Sequence, residues 1–321
     1  MPLFVLRRLL SFVLTLLATS AVVFAVLELL PGNAAQVILG ETATPESIAA
    51  MEDKLGLNQP AATRYLNWMG GMLQGQTGLS ISYDTPTAQL MAERMQVTLP
   101  LAVMAMGLTV ALALALGIYA ASQQNKAGDV GVMTLSQLGL ALPNFWLAIL
   151  LILLFAVHLE WVSAGGFPGW SEEDGGGMFE GIKALLLPAM ALAAVQTAIL
   201  TRVTRSAVLD TLREDFVRTA RAKGLSRRQV LWGHVLRNAM IPVLTVMGLQ
   251  FGNLITSAIV IENVFVLPGI GRLIFQAIAN RDLIVVRDVV MLLSALVILI
   301  NFCIDVLYAW IDPRLKAGHA E

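Results

Sequence analysis

The sequence predicts an all-α integral membrane protein with six transmembrane helices. Three observations carry that prediction. The 321 residues are 57% hydrophobic and only 13% charged, against roughly 45–50% and about 25% in a soluble domain. The mean hydropathy is +0.75. Six runs nearly free of charge approach the ~20 residues that a helix needs to cross hydrocarbon. A net charge of −1 leaves no electrostatic case for nucleic acid. The single cysteine, Cys303, allows no intrachain disulfide.

The first run, Leu9–Leu27, reaches Leu30 with Glu28 near its far end, so residues 1–30 form the N-terminus and first span. Arg7 and Arg8 give it a basic flank like that of a signal peptide. The run outlasts the ~7–15 residues of a signal h-region, so it reads as an uncleaved span. The second run, Met95–Asn125, predicts a helix over 99–122. The third, Val130–Leu159, predicts 134–157, with Pro143-Asn144 near its middle. The fourth begins with Ala184–Thr201, contains Pro188, and predicts 184–206. The fifth is 238–261 and the sixth 289–311, the last interrupted by Asp305. Pro143 and Pro188 read as kinks, with a broken helix lining a cavity as the alternative. Glu28 and Asp305 lie near span ends, where their carboxylates are expected to snorkel. No span carries an acid at its middle, which disfavours an ion-coupled carrier.

Six spans put both termini on one side. With the N-terminus cytoplasmic, the inner segments 1–8, 123–129, 202–237 and 312–321 hold 14 Lys and Arg and the outer segments 7. The basic bias therefore predicts N-in, C-in, with a cytoplasmic tail at 312–321.

Two outer connections and one inner connection stand out. Residues 31–98 are polar and mixed, and predict a small extracytoplasmic subdomain of short helices with room for a strand. Thr44-Pro45-Glu46-Ser47 is a helix start with Pro at its first position. Gly70-Gly71 and Gly75–Gly78 read as turns. The stretch 160–181, rich in Gly, reads as a mobile loop, with Trp161 and Trp170 at interfacial depth.

The inner segment, 207–237, is the informative one. Thr211–Glu214 and Ser226–Gln229 both fit a capping box. Leu209, Leu212, Phe216 and Ala220 fall on one helical face, and Gly224 breaks the pattern. The segment therefore reads as helix, turn at Gly224, helix, with Arg213, Arg218, Arg221, Lys223, Arg227 and Arg228 on its surface. Topology alone needs fewer arginines, so a protein-docking role is favoured over contact with lipid headgroups.

Catalytic motifs are lacking. The chain has no GxxxxGK[ST] loop. His158, His234 and His319 lie apart, without metal-ligand spacing. No nucleophile, acid–base or metal grouping indicates an integral-membrane enzyme.

The stretch Asp215–Ser226, DFVRTARAKGLS, resembles the cytoplasmic loop of ATP-driven ABC-importer permeases. It is most similar to the dipeptide/oligopeptide/nickel branch, and to the permease that comes first in such operons. The general importer signature is EAA, three residues, Gly, nine residues, then I-x-L-P. Gly224 takes the glycine place. Arg218-Thr219-Ala220 keeps only the last Ala, and His234–Arg237 keeps only Leu236. The peptide branch's own pattern, D-x-x-R-T-A-R-A-K-G followed by H-x-L-R-N-A-x-x-P, is matched through Pro242.

The resemblance extends along the chain. It includes Leu30-Pro31-Gly32, where Asn33 replaces the frequent Asp. Leu55-Gly56-Leu57, Arg64-Tyr65, Trp68 and Gly78-Leu79-Ser80 resemble the long outer loop. Pro86, Arg94 and Thr98-Leu99 resemble the approach to the second span. Glu262–Phe265, Pro268–Gly271, Arg272-Leu273 and Arg281-Asp282 resemble the stretch between the last two spans, and Asp312-Pro313-Arg314 the C-terminus.

The resemblance implies a type I ABC importer transmembrane fold with a permease core over 99–311. It implies a multi-pass protein of a bacterial or archaeal cytoplasmic membrane. The partners it implies are a second homologous permease, two ABC ATPase subunits and an extracytoplasmic substrate-binding protein. ATP and Mg would sit on the ATPase subunits, with no cofactor on this chain. Arg218, Thr219, Ala220, Arg221, Ala222, Lys223 and Gly224 would form the ATPase-coupling element. In it, Ala220 and Gly224 would allow close approach, and Arg218, Arg221 and Lys223 would pair with acids. Glu262, Phe265, Pro268, Gly269, Gly271 and Arg272 would form an extracytoplasmic gate or docking point. Peptides are the expected cargo, with nickel chelates, glutathione-like peptides or a peptide antibiotic as alternatives.

Overall fold

The computed structural model describes residues 2–29, 35, 39 and 44–311. Leu30-Pro31-Gly32, Asn33, Asp312-Pro313-Arg314 and the tail 312–321 lie outside the described residues. The first helix is α1 (Pro2–Leu29). Two short helices follow, α2 (Pro45–Leu55) and α3 (Ala61–Leu73), and then the long α4 (Thr87–Ser122). A bent pair comes next, α5 (Ala127–Ala141) and α6 (Asn144–His158). Helix α7 (Met178–Thr211) leads through the short α8 (Asp215–Ala222) into α9 (Arg227–Val264). Then come α10 (Ile270–Ala279) and α11 (Leu283–Ile311). Helices α1, α4, α7, α9 and α11 are long and apolar enough to cross a membrane, and the α5–α6 pair makes a sixth candidate.

The third predicted span, 134–157, is not one straight helix. Its two halves meet at 102°. Proline disfavours the helical conformation in the residue before it, and Leu142 is accordingly extended at φ −91°, ψ 127°. Pro143 then accepts the first hydrogen bonds of α6, from the amides of Trp146 and Leu147. Pro188 breaks nothing. It lies buried inside α7, which begins before the predicted 184 and ends after 206. Helices α4, α9 and α11 likewise begin earlier than 99, 238 and 289. Charge-free runs mark only the apolar part of a helix, and the polar turns at its ends are invisible to that criterion.

Helix α7 is central: its most apolar stretch is 67% buried, against 6% for that of α1. Small residues allow this, with Ala189, Ala191, Ala193 and Ala198 all buried. Close packing of this kind is what joins helices in lipid, where apolar burial gives little drive. At Gly117 of α4, an added Cβ would sit 2.6 Å from Cβ of Thr204 on α7. At Gly248 of α9, it would sit 2.6 Å from Cγ1 of Ile304 on α11.

Helix α1 lies outside, against α11. Phe12 meets Phe302 at 5.2 Å, and Arg8 pairs with Asp305 at 2.9 Å. Glu28 pairs with Arg64 of α3. Both acids expected to snorkel therefore meet arginines.

The connection between α1 and α4 carries α2 and α3. Thr44 caps α2, its hydroxyl accepting from the Ser47 amide at 3.2 Å, with Pro45 at the first position as predicted. Gly70-Gly71 lies inside α3 rather than in a turn. An isolated antiparallel bridge pairs Leu79 with Pro86. The Gly-rich stretch after α6 is tied to the bundle at Trp170. Trp170 stacks edge-on with Phe167 at 5.0 Å, and its Nε1–H donates to the Gln96 carbonyl at 2.8 Å.

Candidate functional site

Helix α8 projects at the end of the bundle where α7 stops and α9 begins. Thr211 is not the expected capping residue. It ends α7, and its hydroxyl donates back to the Ala207 carbonyl at 2.8 Å. Leu209 and Leu212 therefore belong to α7 and its cap, whereas Phe216 and Ala220 belong to α8. The single amphipathic face spread over four residues is split between two helices. Asp215 in the first turn and Arg221 in the last suit the α8 dipole.

A Schellman motif closes α8. The Gly224 amide donates to the Arg221 carbonyl at 3.0 Å, and the Leu225 amide to the Ala220 carbonyl at 3.3 Å. Gly224 takes φ +84°, as this motif requires. The second predicted capping box is present. The Ser226 amide donates to Oε1 of Gln229 at 2.9 Å, and the Gln229 amide to Oγ of Ser226 at 3.4 Å.

Two side chains seat α8 on the bundle. Val217 and Ala220 are buried against Val208, Val230, Val235 and Ala239. Ala220 thus faces inward and is not available for close approach by a partner. At Gly224 an added Cβ would meet nothing within 4 Å, so the backbone angle is what demands glycine there. The outward face presents Phe216, Arg218, Thr219, Arg221, Ala222 and Lys223. Arg218 lies 3.4 Å from Asp215, but both are largely exposed, a geometry worth little. Among the described residues, Arg221 and Lys223 have no ion pair.

A part-buried pair braces this end of the bundle. Arg205 of α7 grips Asp129 at the start of α5 with Nε–Oδ1 2.5 Å and Nη2–Oδ2 2.6 Å. The Asn125 amide adds a third bond to the carboxylate at 2.9 Å. Two-point guanidinium–carboxylate contacts are the strong form of this interaction. The turn between α4 and α5 is thereby fixed to α7, six residues before α7 ends.

The six candidate residues at the opposite end cluster around the start of α10. Glu262 accepts from the Thr98 hydroxyl at 2.6 Å and from the Gly271 amide at 2.6 Å. Thr98 in turn accepts from the Ile270 amide at 2.9 Å. A carboxylate at a helix N-terminus satisfies orphan amides and the dipole together. An added Cβ at Gly269 would run into the Glu262 carboxylate. The carbonyl of Phe265 accepts from the Gly166 amide at 2.8 Å, and the carbonyl of Val266 from Nη1 of Arg272 at 2.9 Å. Glu262, Phe265, Gly269 and Gly271 are buried, and only Pro268 and Arg272 keep part of their surface. Thr98→Val should destabilise the detergent-solubilised protein by about 1–3 kcal/mol, by leaving buried partners unsatisfied. Thr98→Ser should keep wild-type stability in the same denaturation measurement. Equal stability of Thr98→Val and wild type would rule out this linkage.

Sequence reasoning did not single out Asp129, Arg205 or the role of Thr98. Asp129 and Arg205 are separated by 76 positions and Thr98 and Glu262 by 164. No local spacing reports such pairs.

Residues 113–317 match the family described as binding-protein-dependent transport system inner membrane component. Residues 1–112 match the N-terminal part of such transport-system membrane components. The chain is 38% identical over 329 residues to the dipeptide transport system permease protein DppB of Alkalihalophilus pseudofirmus, covering 98% of this chain and 99% of that protein. It is 40% identical over 313 residues to the glutathione transport system permease protein GsiC of Salmonella choleraesuis, covering 98% of each. A putative peptide transport system permease protein of Brucella abortus is 38% identical over 312 residues, covering 97% of this chain and 98% of that one. Among solved structures, a chain of the MetNI methionine ABC transporter, in an inward-facing conformation, superposes with TM-score 0.57 at 16% identity. It covers 70% of this chain and 97% of its own length, a likeness of fold.

Proposed function

The chain belongs to the family of binding-protein-dependent transport system inner membrane components, and from that premise we propose that it is the permease subunit of an ATP-driven importer of di- and oligopeptides. The observation that carries this reading is the 38% identity to a dipeptide permease across 98% of the chain. The chain forms half of a translocation pore, and a second homologous permease forms the other half. Two separate ATPase subunits bind ATP and Mg, and this chain binds neither. An extracytoplasmic binding protein delivers the cargo. Both termini lie in the cytoplasm, as the Lys and Arg bias favours.

Helix α8 is the coupling element of this reading. Its support is the outward face of Phe216, Arg218, Thr219, Arg221, Ala222 and Lys223 on a helix seated by buried Val217 and Ala220. The arginines and lysine meet acids on the rim of an ATPase groove. Closure of the ATPase dimer around ATP draws the two permeases' coupling helices together. Because α8 is bound to α7 and α9, that displacement turns the pore from inward- to outward-facing, and hydrolysis resets it. The pore is a bistable interface, biased by a ligand that this chain does not hold. At the opposite end, Pro268 and Arg272 are the surface part of the gate or docking point, and buried Glu262, Phe265, Gly269 and Gly271 shape it.

Glutathione is the second cargo that a specific observation favours, through the 40% identity to a glutathione permease. The test is uptake of labelled dipeptide into proteoliposomes holding both permeases and both ATPases, with binding protein outside. Uptake should require ATP inside and be competed by unlabelled di- and oligopeptides. Competition by glutathione alone would replace the cargo. Uptake driven by an ion gradient without ATP would overturn the class.

A further inference from the structure

The segment between α3 and α4 is fastened to the start of α11 by two buried carboxylates. Asp282 accepts from the Ser80 hydroxyl at 2.6 Å and from the Ser82 amide at 3.1 Å. It also accepts from the Val285 amide at 3.3 Å, which caps α11. Asp288, six residues further on, accepts from Nε1–H of Trp68 at 2.9 Å and from the Thr87 hydroxyl at 2.5 Å. The two aspartates are 1% and 0% exposed. Trp68 belongs to α3 and Thr87 opens α4, so Asp288 alone joins three helices. The segment closes on itself as well, with the Thr87 amide donating to the Gly78 carbonyl at 2.9 Å and the Ser80 amide to the Thr85 carbonyl at 2.9 Å. Tyr83 reaches α10, where its hydroxyl meets Oε1 of Gln276 at 3.0 Å.

We infer that residues 77–87 are a permanent fastener, with Asp282 and Asp288 as its positioning residues. It makes α3, the start of α4, α10 and the start of α11 one rigid body throughout the transport cycle. Opening it would strip several buried donors from both carboxylates at once, and such multiply bonded buried groups open only with their surroundings. A latch meant to release in each cycle would rest on exposed, singly bonded contacts. Helix α10 is held at both ends, by Thr98 and Glu262 at its start and by this segment near its end. A displacement imposed on α3 therefore reaches α10 and α11 together. The transport cycle invoked here rests on the function proposed above.

The test is a cross-link. A Cβ built on Gly78 would lie 3.8 Å from Cβ of Ile284, matching the mean of about 3.8 Å in disulfides. Gly78→Cys with Ile284→Cys, in a Cys303→Ser background, is prepared in the full complex. The disulfide should form to the same extent without nucleotide and with ATP plus vanadate, and oxidised transporters should keep at least half of the reduced uptake. Cross-linking in only one state, or a loss of uptake of tenfold or more on oxidation that reductant restores, would overturn the fastener. Wild-type complex that takes up no peptide would instead overturn the functional reading, since cross-linking yield needs no cargo. If the double variant does not assemble, amide hydrogen exchange of the wild-type complex decides. Residues 77–87 should stay equally protected in both states, and loss of protection in either would exclude a permanent fastener.

Discussion

Gly224→Val is expected to leave membrane insertion and abundance normal and to lower ATP-driven uptake by about tenfold or more. The cause is the backbone. Gly224 holds φ +84° to close the Schellman motif of α8. The left-handed region costs an ordinary residue roughly 1–2 kcal/mol, and a β-branched one is a true outlier there. About 1.4 kcal/mol is already a tenfold change in an equilibrium constant. Helix α8 has eight residues, seated by the side chains of Val217 and Ala220, so a strained end displaces it. No membrane span depends on this turn, which is why insertion survives. Gly224→Asn is the discriminating partner, because asparagine tolerates the left-handed region. It should retain most of the uptake and co-purify with the ATPases as the wild type does. Uptake lost equally in both variants would move the cause from backbone angle to surface shape. Normal uptake by the valine variant at normal abundance would remove α8 from the coupling role.

Arg205→Ala should destabilise the protein more than removal of the whole pair. Asp129 is 3% exposed and loses both of its guanidinium bonds in that variant. Asp129 is the buried member while the Arg205 side chain is 24% exposed, so stranding the carboxylate costs less than the about 3–5 kcal/mol of a fully buried pair, whereas replacing both members is often close to neutral. Thermal unfolding in detergent should therefore rank Arg205→Ala lowest, with the double variant Asp129→Ala/Arg205→Ala recovering part of the loss. Arg205→Lys should fall between, since an ammonium keeps the charge but cannot make the two-point contact. A double variant no more stable than Arg205→Ala would show that the unpaired carboxylate is not the source of the loss. The same variants report on function, because the Asp129–Arg205 contact lies at the end of α7 that carries α8. Loss of uptake beyond loss of folded protein would place it in the path between α8 and the spans.

The parts legible in the sequence share one property: their cause is local. Charge-free runs located the long apolar helices because a crossing segment must be apolar along most of its length. Thr44-Pro45, Ser226–Gln229 and Gly224 were readable because a cap or left-handed turn is set by residues within four positions of each other. Where local rules competed, the reading failed. Pro143 and Pro188 look alike in sequence, yet one ends a helix at 102° and the other lies inside α7. Thr211–Glu214 fits a capping box, yet Thr211 is the last residue of the preceding helix. Leu209 and Ala220 share a helical spacing across a break that the spacing cannot register.

By itself the sequence determined the class of the protein, its family resemblance, the approximate spans and the position of the α8 element, all from composition and short-range pattern. Only the tertiary structure decided which of those residues face inward. Ala220 seats α8 instead of presenting it, and Glu262 caps α10 through Thr98. The pairing of Asp129 with Arg205, and of Asp282 and Asp288 with the segment before α4, was likewise a tertiary outcome. The physical reason is desolvation. A carboxylate withdrawn from water must find donors wherever the folded chain brings them, and here they include side chains from 76 to more than 200 positions away.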